Sequence, residues 1–318
     1  MRKVLIAALV FWFFAAPQAA QEPKPSDNPP ASSNSAPPTD PTKIKVRVDL
    51  VNVLFTVTDK KNRLVIDLTK DDFNIVEDTK PQSIRYFSRE ANLPLRIGVL
   101  IDTSNSIRDR LRFEQEAAID FLNSTVRPKK DLAYVVGFDV EPQLVSDYTD
   151  NMEKLSTAIR SLQAGGVTGL YDAIYFACKE KMLFFPPPEP YLRRVMIVVS
   201  DGQDNYSVHT RDEALAMAQR AEVTIFTIST NRSGQEGRGD RILKYFAQET
   251  GGRAFFPFAA HDLTENFQEI SRELRSQYSL GYVSTNPARD GTVRTISILA
   301  REKGLRIRSK SGYLAPTQ

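Results

Sequence analysis

The chain has 318 residues, more than one average domain, so we expect two domains together with accessory segments. Its 41% hydrophobic and 25% charged content is typical of soluble globular proteins. Without residues 1–20, whose only charged side chains are Arg2 and Lys3, 40 basic residues face 39 acidic ones. This near-neutral balance gives no support for nucleic-acid binding or for a general attraction to anionic membranes.

The first twenty residues have the pattern of an export signal. Arg2 and Lys3 precede an apolar core at residues 4–16, and Ala19 and Ala20 provide small residues for cleavage. The core is shorter than the ~20 apolar residues of a membrane span, although an uncleaved anchor stays the alternative. The sequence therefore predicts an exported protein that is secreted, periplasmic or associated with the cell envelope, with no transmembrane span in the mature chain.

Two segments of contrasting composition follow the signal. Residues 21–42 are rich in Pro, Ser and Ala and nearly lack large apolar side chains, which predicts a disordered linker. In residues 43–92, β-branched residues recur in short alternating runs, which predicts the first half of a β-rich module. The expected strands are residues 45–57, 73–76 and 83–87, with a hairpin turn at 77–80.

From residue 93 to residue 278 the chain alternates between strand and helix patterns. Strand candidates such as residues 195–199 are continuously apolar, which indicates burial on both faces, as in parallel sheets. The expected strands are residues 95–101, 132–138, 143–145, 194–200, 223–229 and 254–256. The expected helices are residues 107–126, 151–162, 170–182, 211–221, 241–250 and 263–275. This alternation predicts an α/β fold with a doubly wound, mostly parallel sheet.

The C-terminal segment, residues 279–318, returns to a strand pattern. The expected strands are residues 278–284, 292–300 and 305–309. Two arrangements are open at this stage. Either these strands complete one β-sandwich with residues 43–92, into which the α/β domain is inserted, or the two flanks are separate β appendages. The termini of α/β domains commonly lie close together, which makes the insertion feasible.

Five oxygen-bearing side chains occur where the predicted strands end or helices begin. Asp102, Ser104 and Ser106 follow the first α/β strand, and Asp201 follows the fourth. Thr168 stands beside a Gly pair, just before a helix. Because open α/β sheets bind ligands at the carboxyl ends of their strands, we expect these five side chains to meet there.

The chemistry of these five side chains favours a divalent cation. Magnesium takes oxygen ligands and typically uses one or two carboxylates while it keeps several waters. A site with three hydroxyls and few acids leaves the ion electrophilic, so that a carboxylate from a partner can complete its coordination. We expect Asp201 to act through a bound water, and we assign neither Asp172 nor Asp204 to the metal. The alternative is that Ser104 and Ser106 cap the next helix and that Asp201 belongs to an ordinary turn.

These residues resemble the von Willebrand factor A (VWA) domain and its metal-ion-dependent adhesion site. The family pattern Asp-x-Ser-x-Ser matches Asp102, Ser104 and Ser106, its separate Thr matches Thr168, and its later Asp matches Asp201. The resemblance covers about residues 93–278, and the flanks at residues 71–78 and 311–316 are similar to those of bacterial VWFA-related secreted proteins. It implies a sheet with helices on both faces, one short antiparallel edge strand at residues 143–145, and a bound magnesium ion, or sometimes manganese or calcium.

The sequence thus predicts an exported protein-binding module of the adhesion type rather than an enzyme. Its partner is expected to be a protein that presents an Asp or Glu to the metal. A structural cell-envelope protein, in which the metal acts only as a stabilising staple, is the first alternative. A metal-assisted hydrolase is the second. A metal-assisted phosphotransferase with Asp102 as nucleophile would need a second acid two residues on, where Ser104 stands. A serine hydrolase would need a base and a Gly-x-Ser-x-Gly motif, but the sequence has only two histidines, His209 and His261, and no such motif.

Overall fold

The computed structural model describes residues 50–89, 92–183, 192–231, 233, 235–257 and 260–317. The predicted signal at residues 1–20 and the predicted linker at residues 21–42 lie outside the described residues. The strands, in chain order, are β1 (Leu50–Thr58), β2 (Phe73–Glu77), β3 (Lys80–Gln82), β4 (Ile84–Arg89), β5 (Leu95–Asp102), β6 (Leu132–Phe138), β7 (Pro142–Thr149), β8 (Arg193–Ser200), β9 (Val223–Ser229), β10 (Ala254–Phe255), β11 (Tyr278–Val283), β12 (Val293–Ala300), β13 (Arg306–Ser309) and β14 (Gly312–Leu314). The α-helices are α1 (Leu111–Thr125), α2 (Met152–Ser161), α3 (Leu170–Phe176), α4 (Arg211–Arg220), α5 (Arg238–Glu249) and α6 (Ala260–Leu274).

A six-stranded sheet lies at the centre of the α/β region, in the order β10-β9-β8-β5-β6-β7. Its strands are parallel except for β7, which pairs antiparallel with β6 at one edge. Every residue of β5 is buried, as is nearly every residue of β8, because helices cover both faces of the sheet. This confirms the predicted doubly wound, mostly parallel α/β fold with one antiparallel edge strand.

The helices divide between the two faces of this sheet. On one face α1, α2 and α6 bury apolar residues such as Phe121, Ile159 and Phe267 against Val99 of β5. On the other face α3, α4 and α5 bury residues against Leu100 of β5. The alternation of Val99 and Leu100 between two cores explains why this strand is apolar at successive positions rather than at every second one.

The position of the site follows from the strand order. The chain runs from β5 to its neighbour β6 on one side, and later returns to β8 on the other side of β5. The direction of winding therefore reverses between β5 and β8, and the crevice at the carboxyl ends of these two strands is the usual ligand position in such sheets. Asp102 is the last residue of β5, and Ser200 is the last residue of β8.

The strands that flank the α/β region form two further sheets, both antiparallel. Their orders are β13-β1-β11-β4 and β14-β12-β2-β3. Each sheet contains strands from before and from after the α/β region, so the two flanks share one β-sandwich and are not separate appendages. Its core packs residues of both sheets together, including Phe55 of β1 against Phe73 of β2, with ring centroids 5.0 Å apart.

Some predicted elements differ in detail from those observed. The predicted helix at residues 107–126 is a 3-10 turn (Asn105–Ile107) followed by α1. The predicted hairpin between residues 73–76 and 83–87 is wrong, because β2 pairs with the short β3 while β4 crosses to the other sheet and pairs with β11. Among the residues that the structure describes, no helix combines the length and the hydropathy needed to cross a bilayer.

Candidate metal centre

Asp102 is the most deeply placed acid of the candidate site. Its side chain is fully buried at the end of β5. One carboxylate oxygen, Oδ1, accepts the backbone N–H of Ser104 at 2.9 Å, and the other, Oδ2, accepts the hydroxyl of Ser200 at 2.6 Å. The two hydrogen bonds fix the carboxylate between β5 and β8.

The surroundings of Asp102 disfavour the ionised form of its carboxyl group. Burial raises its pKa, and the nearby Asp201 raises it further, while the hydrogen bonds from Ser200 and Ser104 act in the opposite direction. A cation in contact with this carboxylate would favour the ionised form, because a bound ion dominates the local field.

Two hydroxyls lie next to Asp102 and are not used as helix caps. Ser104 is buried and Ser106 is exposed, and their Oγ atoms are 2.9 Å apart. Ser104 precedes the 3-10 turn without a side-chain capping hydrogen bond, and the residue that precedes α1 is Arg110. The capping alternative therefore does not account for either hydroxyl. Ile107 is completely buried and anchors the turn that carries them.

The segment that contains Thr168 is attached directly to the first loop. Gly165 donates its backbone N–H to the carbonyl oxygen of Thr103 at 2.7 Å, and Asn105 donates to that of Gly166 at 3.3 Å. Thr168 itself is buried, and its carbonyl oxygen accepts the N–H of Asn205 at 2.9 Å. Thr168 thus lies between the loop that follows β5 and the loop that follows β8.

Asp201 begins the third loop, whose backbone conformation requires glycine. Its Oδ1 accepts the N–H of Gln203 at 3.0 Å, and the residue is partly exposed. Gly202 has a φ of +76°, and a Cβ on this residue would lie 2.3 Å from the carbonyl oxygen of Gly239 in the first turn of α5. A side chain at position 202 would therefore force α5 away from the loop that carries Asp201.

The structure thus brings together the three segments that contain the five predicted ligands. Hydrogen bonds join the first loop to the second, the second to the third, and the third to Asp102 through Ser200. In the described part of the chain, no group of three or more His, Cys, Asp or Glu side chains could hold a metal ion. With two carboxylates at the candidate site, hydroxyls would have to supply the remaining protein ligands.

Asp172 and Asp204 are used to hold the loop at residues 203–209. Asp172 accepts the backbone N–H groups of Val208 and His209, both at 2.9 Å, and lies 2.7 Å from Nδ1 of His209. Although burial acts in the opposite direction, these hydrogen bonds lower the pKa of Asp172. Asp204 accepts the hydroxyl of Ser207 at 2.6 Å and the N–H of Tyr171 at 3.3 Å. Both acids therefore have hydrogen-bond partners within the loop or at the start of α3.

Two residues that shape the site had no role in the sequence analysis. Ser200 orients Asp102, and the only signal for it is a polar residue at the end of an otherwise apolar strand. Gly239 lets α5 approach the third loop, since a Cβ there would lie 2.1 Å from the carbonyl oxygen of Asp201. Nothing in the local sequence distinguishes it from an ordinary glycine near a helix start.

A cavity of about 610 Å³ opens beside Asp201. It is lined by residues that include Arg110, Tyr171, Asp204, Asn231 and Arg238. Arg110 donates to the carbonyl oxygen of Thr230, whereas Arg238 is exposed. The cavity gives the candidate centre one polar, partly basic side.

The fold defines an α/β domain in which three hydrogen-bonded loops that carry oxygen side chains meet at the switch point of the sheet. The model of the von Willebrand factor type A domain matches residues 97–273, which is more than half of the chain. The chain therefore belongs to the von Willebrand factor type A domain family, and this membership supports a protein-interaction module.

Individual relatives match with low identity. The human von Willebrand factor A domain-containing protein 3B is 27% identical over 174 residues, which is 53% of this chain and 12% of that protein. Among solved structures, proximal thread matrix protein 1 from the mussel byssus, with a zinc-occupied MIDAS motif, is 17% identical. It has a TM-score of 0.50, with 63% of this chain and 50% of that chain covered.

Two bacterial pilus proteins have similar structures. The von Willebrand factor domain of the type V pili tip protein Mfa5 from Porphyromonas gingivalis is 16% identical, with a TM-score of 0.47 and coverage of 57% of this chain and 94% of that chain. The PilB minor pilin from Streptococcus sanguinis is 12% identical, with a TM-score of 0.46 and coverage of 58% and 62%.

Proposed function

We propose that this protein is an exported, divalent-metal-dependent protein-binding module of the adhesion type. The observation that carries the proposal is the pair of hydroxyls of Ser104 and Ser106, which lie 2.9 Å apart beside the buried carboxylate of Asp102 and cap no helix. Neither hydroxyl serves as a helix cap, and both offer the oxygen that a hard cation prefers.

The donor set fits magnesium, and manganese or calcium are the alternatives. Asp102, Ser104, Ser106 and Thr168 would hold the ion, and Asp201 would hold it through a bound water. All five offer oxygen, the ligand that these cations prefer, and the two carboxylates match the one or two that magnesium typically uses. The mussel protein with zinc in its MIDAS motif supports metal binding by this kind of site.

When bound, the metal supplies a Lewis-acidic position for an oxygen of a partner. Asp102 would hold the ion while it accepts hydrogen bonds from Ser104 and Ser200, and Asp201 accepts the N–H of Gln203 within its own turn. Ser106 is exposed and marks the solvent side of the centre. A partner Asp or Glu that approaches from this side would complete the coordination, while nucleic acid is not expected as a partner.

The proposal of export depends on residues 1–20 and their signal pattern. Residues 21–42 would then separate the folded part of the protein from the membrane during or after secretion. Edman sequencing of the protein recovered from an expressing bacterium tests the first step. We expect the mature chain to begin after Ala20, and an intact Met1 would favour the uncleaved anchor.

Isothermal titration calorimetry tests the metal site. We expect the wild-type protein to bind one Mg²⁺ or Mn²⁺ ion, the Asp102→Ala variant to bind none, and the Ser106→Ala variant to bind at least ~10-fold more weakly. Ser106 is exposed, so its substitution removes a ligand with little effect on packing. Ser297→Ala, at an exposed serine of β12, is the matched control.

Two outcomes would count against the proposal. Metal uptake that persists unchanged in Asp102→Ala would place the ion elsewhere. A variant that binds no metal and also unfolds, as judged by circular dichroism, would support the alternative of a structural staple. A variant that folds but no longer captures a carboxylate-bearing peptide supports recognition.

A further inference from the structure

Three exposed apolar side chains border the candidate centre. Val167 is 41% exposed, Tyr206 is 55% exposed and Val208 is 87% exposed. Single exposed apolar residues are common on protein surfaces. Between residues 97 and 273, however, the described chain has five large, clearly exposed apolar side chains, and these three are the most exposed of them. We call Val167, Tyr206 and Val208 the apolar rim.

Hydrogen bonds join the loops that carry these three residues. Val167 precedes the predicted ligand Thr168, whose carbonyl oxygen accepts the N–H of Asn205, the residue before Tyr206. Asp172, in the first turn of α3, accepts the N–H of Val208. The apolar rim therefore lies along the side of the centre formed by the second and third loops.

The loop at residues 203–209 is fixed although its apolar side chains face solvent. Asp204 accepts the hydroxyl of Ser207 at 2.6 Å, and that hydroxyl oxygen in turn accepts the N–H of Asp172 at 3.0 Å. The ring of His209 stacks on that of Tyr175, with centroids 3.7 Å apart. A loop held at so many points presents Tyr206 and Val208 in one geometry, which lowers the entropy cost of binding a partner.

The cavity beside Asp201 places two arginines, Arg110 and Arg238, next to the acids Asp201 and Asp204. Arg238 lines the cavity beside Asp201, is exposed, and has no carboxylate within 4.0 Å among the described residues. Arg110 lines the same cavity. Because Arg238 is paired with no carboxylate in the described part of the chain, its guanidinium would attract a second acidic group of a partner and repel a basic one.

We propose that the partner is a protein segment in which the metal-bound carboxylate is flanked by an apolar side chain and by a second acidic side chain. The apolar side chain packs on the apolar rim, and the second acid pairs with Arg238. This inference rests on the proposed function, because the first carboxylate needs the metal. It adds the two neighbouring side chains, one apolar and one acidic, that would distinguish one carboxylate-bearing partner from another.

A peptide array tests the inference on the full chain. The probes are synthetic heptapeptides with a fixed central Asp, flanked on one side by Leu or Ser and on the other by Asp, Ser or Lys. Binding is measured in Mg²⁺, in Mn²⁺ and in EDTA. We expect the wild-type protein to bind peptides with Leu and a second Asp roughly 10-fold better than those with Ser at both flanks, and to reject those with Lys.

Variants separate the two contacts. Val208→Ser removes an almost fully exposed side chain and keeps the backbone hydrogen bond to Asp172, so folding is unaffected. We expect it to weaken the preference for Leu over Ser, which is the apolar part of the roughly 10-fold difference. Arg238→Glu is expected to reverse the preference for Asp over Lys. Val293→Ser, at a 57% exposed residue of β12, is the matched control and should leave both preferences unchanged.

The outcomes distinguish this inference from the proposed function. Binding that EDTA and Asp102→Ala abolish, but that is indifferent to Leu and to the second Asp, overturns the inference and leaves the metal site standing. Equal preferences in the wild type and Val208→Ser also overturn it. Binding that is insensitive to EDTA and to Asp102→Ala overturns the proposed function, and the absence of binding to any peptide in Mg²⁺ or Mn²⁺ overturns both.

Discussion

Asp131 joins three elements at the end of the sheet opposite the candidate centre. Its fully buried carboxylate accepts the N–H of Leu95 at the start of β5, at 2.8 Å. It also pairs with Arg127, just after α1, at 2.8 Å, and with Arg275, just after α6, at 2.8 Å. One side chain therefore positions the strand that ends in Asp102 and the two helices that cover it.

The contacts of Asp131 make folding sensitive to acid. Although burial acts in the opposite direction, hydrogen bonds from Arg127, Leu95 and Arg275 lower its pKa from 3.8 to about 2. Because the folded-state pKa lies below the unfolded one, this stabilisation is fully present above pH ~4 and is lost as the pH falls toward ~2. The difference corresponds to about 2 kcal/mol of unfolding free energy.

Urea denaturation of the wild type and of Asp131→Asn at several pH values tests this. Between pH 5 and pH 2, we expect the wild type to lose about 2 kcal/mol more than the variant, which has no carboxylate to protonate. Asp120→Asn, at an exposed acid of α1, is the matched control and should follow the wild type. Equal pH slopes for the wild type and Asp131→Asn would contradict the assignment.

At the scale of elements, the close approach of α5 to the third loop is the tightest constraint on the site. Gly202 has a φ of +76°, and a Cβ there would meet the backbone of Gly239 at 2.3 Å. Gly165 lies in the neighbouring second loop, but nothing stands within 4 Å of the position that its Cβ would take. The two glycines thus form a natural pair of test and control.

We expect Gly202→Ala to lower the unfolding free energy by about 2 kcal/mol or more, since it combines a strained φ with a backbone clash. It should also weaken metal uptake, because Asp201 would move with its loop. Gly165→Ala should change the stability by less than ~0.5 kcal/mol. Chemical denaturation and calorimetry on both variants check this, and equal effects of the two substitutions would disprove the role assigned to α5.

The elements differ in how far the sequence alone predicts them. The central strands are predictable because burial on both faces leaves a continuous apolar run, as in β5 and β8. The convergence of the three loops follows from strand order and from the switch-point rule. The crossing of β4 to the second sheet and the three-residue strands β3 and β14 are not predictable, because long-range pairing and not local pattern decides them.

Some roles of single side chains at the site are likewise predictable from the sequence, and others are not. Residue type and position predict the two carboxylates and three hydroxyls as candidates. Other roles depend on hydrogen bonds between residues that are 30 to 100 positions apart in sequence. Ser200 orients Asp102 in this way, and Asp172 and Asp204 hold the loop at residues 203–209. Such contacts form only when the sheet has assembled, so no local sequence motif predicts these roles.

At the scale of the whole molecule, the two flanks of the α/β region are held together inside the β-sandwich. Glu77 of β2 is almost fully buried. Its Oε2 accepts the hydroxyls of Tyr282 in β11, at 2.7 Å, and of Tyr313 in β14, at 2.9 Å. Burial and the negative charge of Glu77 raise the pKa of Tyr313 to about 12, so its hydroxyl remains a donor at neutral pH.

The α/β region is connected to this sandwich through the end of α6. Glu273 accepts the hydroxyl of Thr56 in β1 at 3.0 Å and pairs with Arg308 of β13. Gln277, just before β11, donates to the same Thr56 hydroxyl at 3.3 Å. The last helix of the α/β region is thus bonded to one strand from each flank. We therefore expect a loss of sandwich stability to lower the unfolding free energy of the α/β region as well.

Tyr313→Phe tests whether the C-terminal strand stabilises the entire fold. The substitution keeps the ring and removes one donor to the buried Glu77 carboxylate, which should cost about 1.5 kcal/mol. We expect a single unfolding transition, shifted to lower urea for the signals of the sandwich and of the α/β helices alike. Tyr86→Phe, at a 45% exposed tyrosine of β4, is the matched control, with a change below ~0.5 kcal/mol. Far-ultraviolet circular dichroism reports on the helices and hydrogen-exchange mass spectrometry on β2, β11 and β14. If the strands lose protection while the helices keep the wild-type transition, then the sandwich and the α/β region unfold independently and the ties through Glu273 do not couple them.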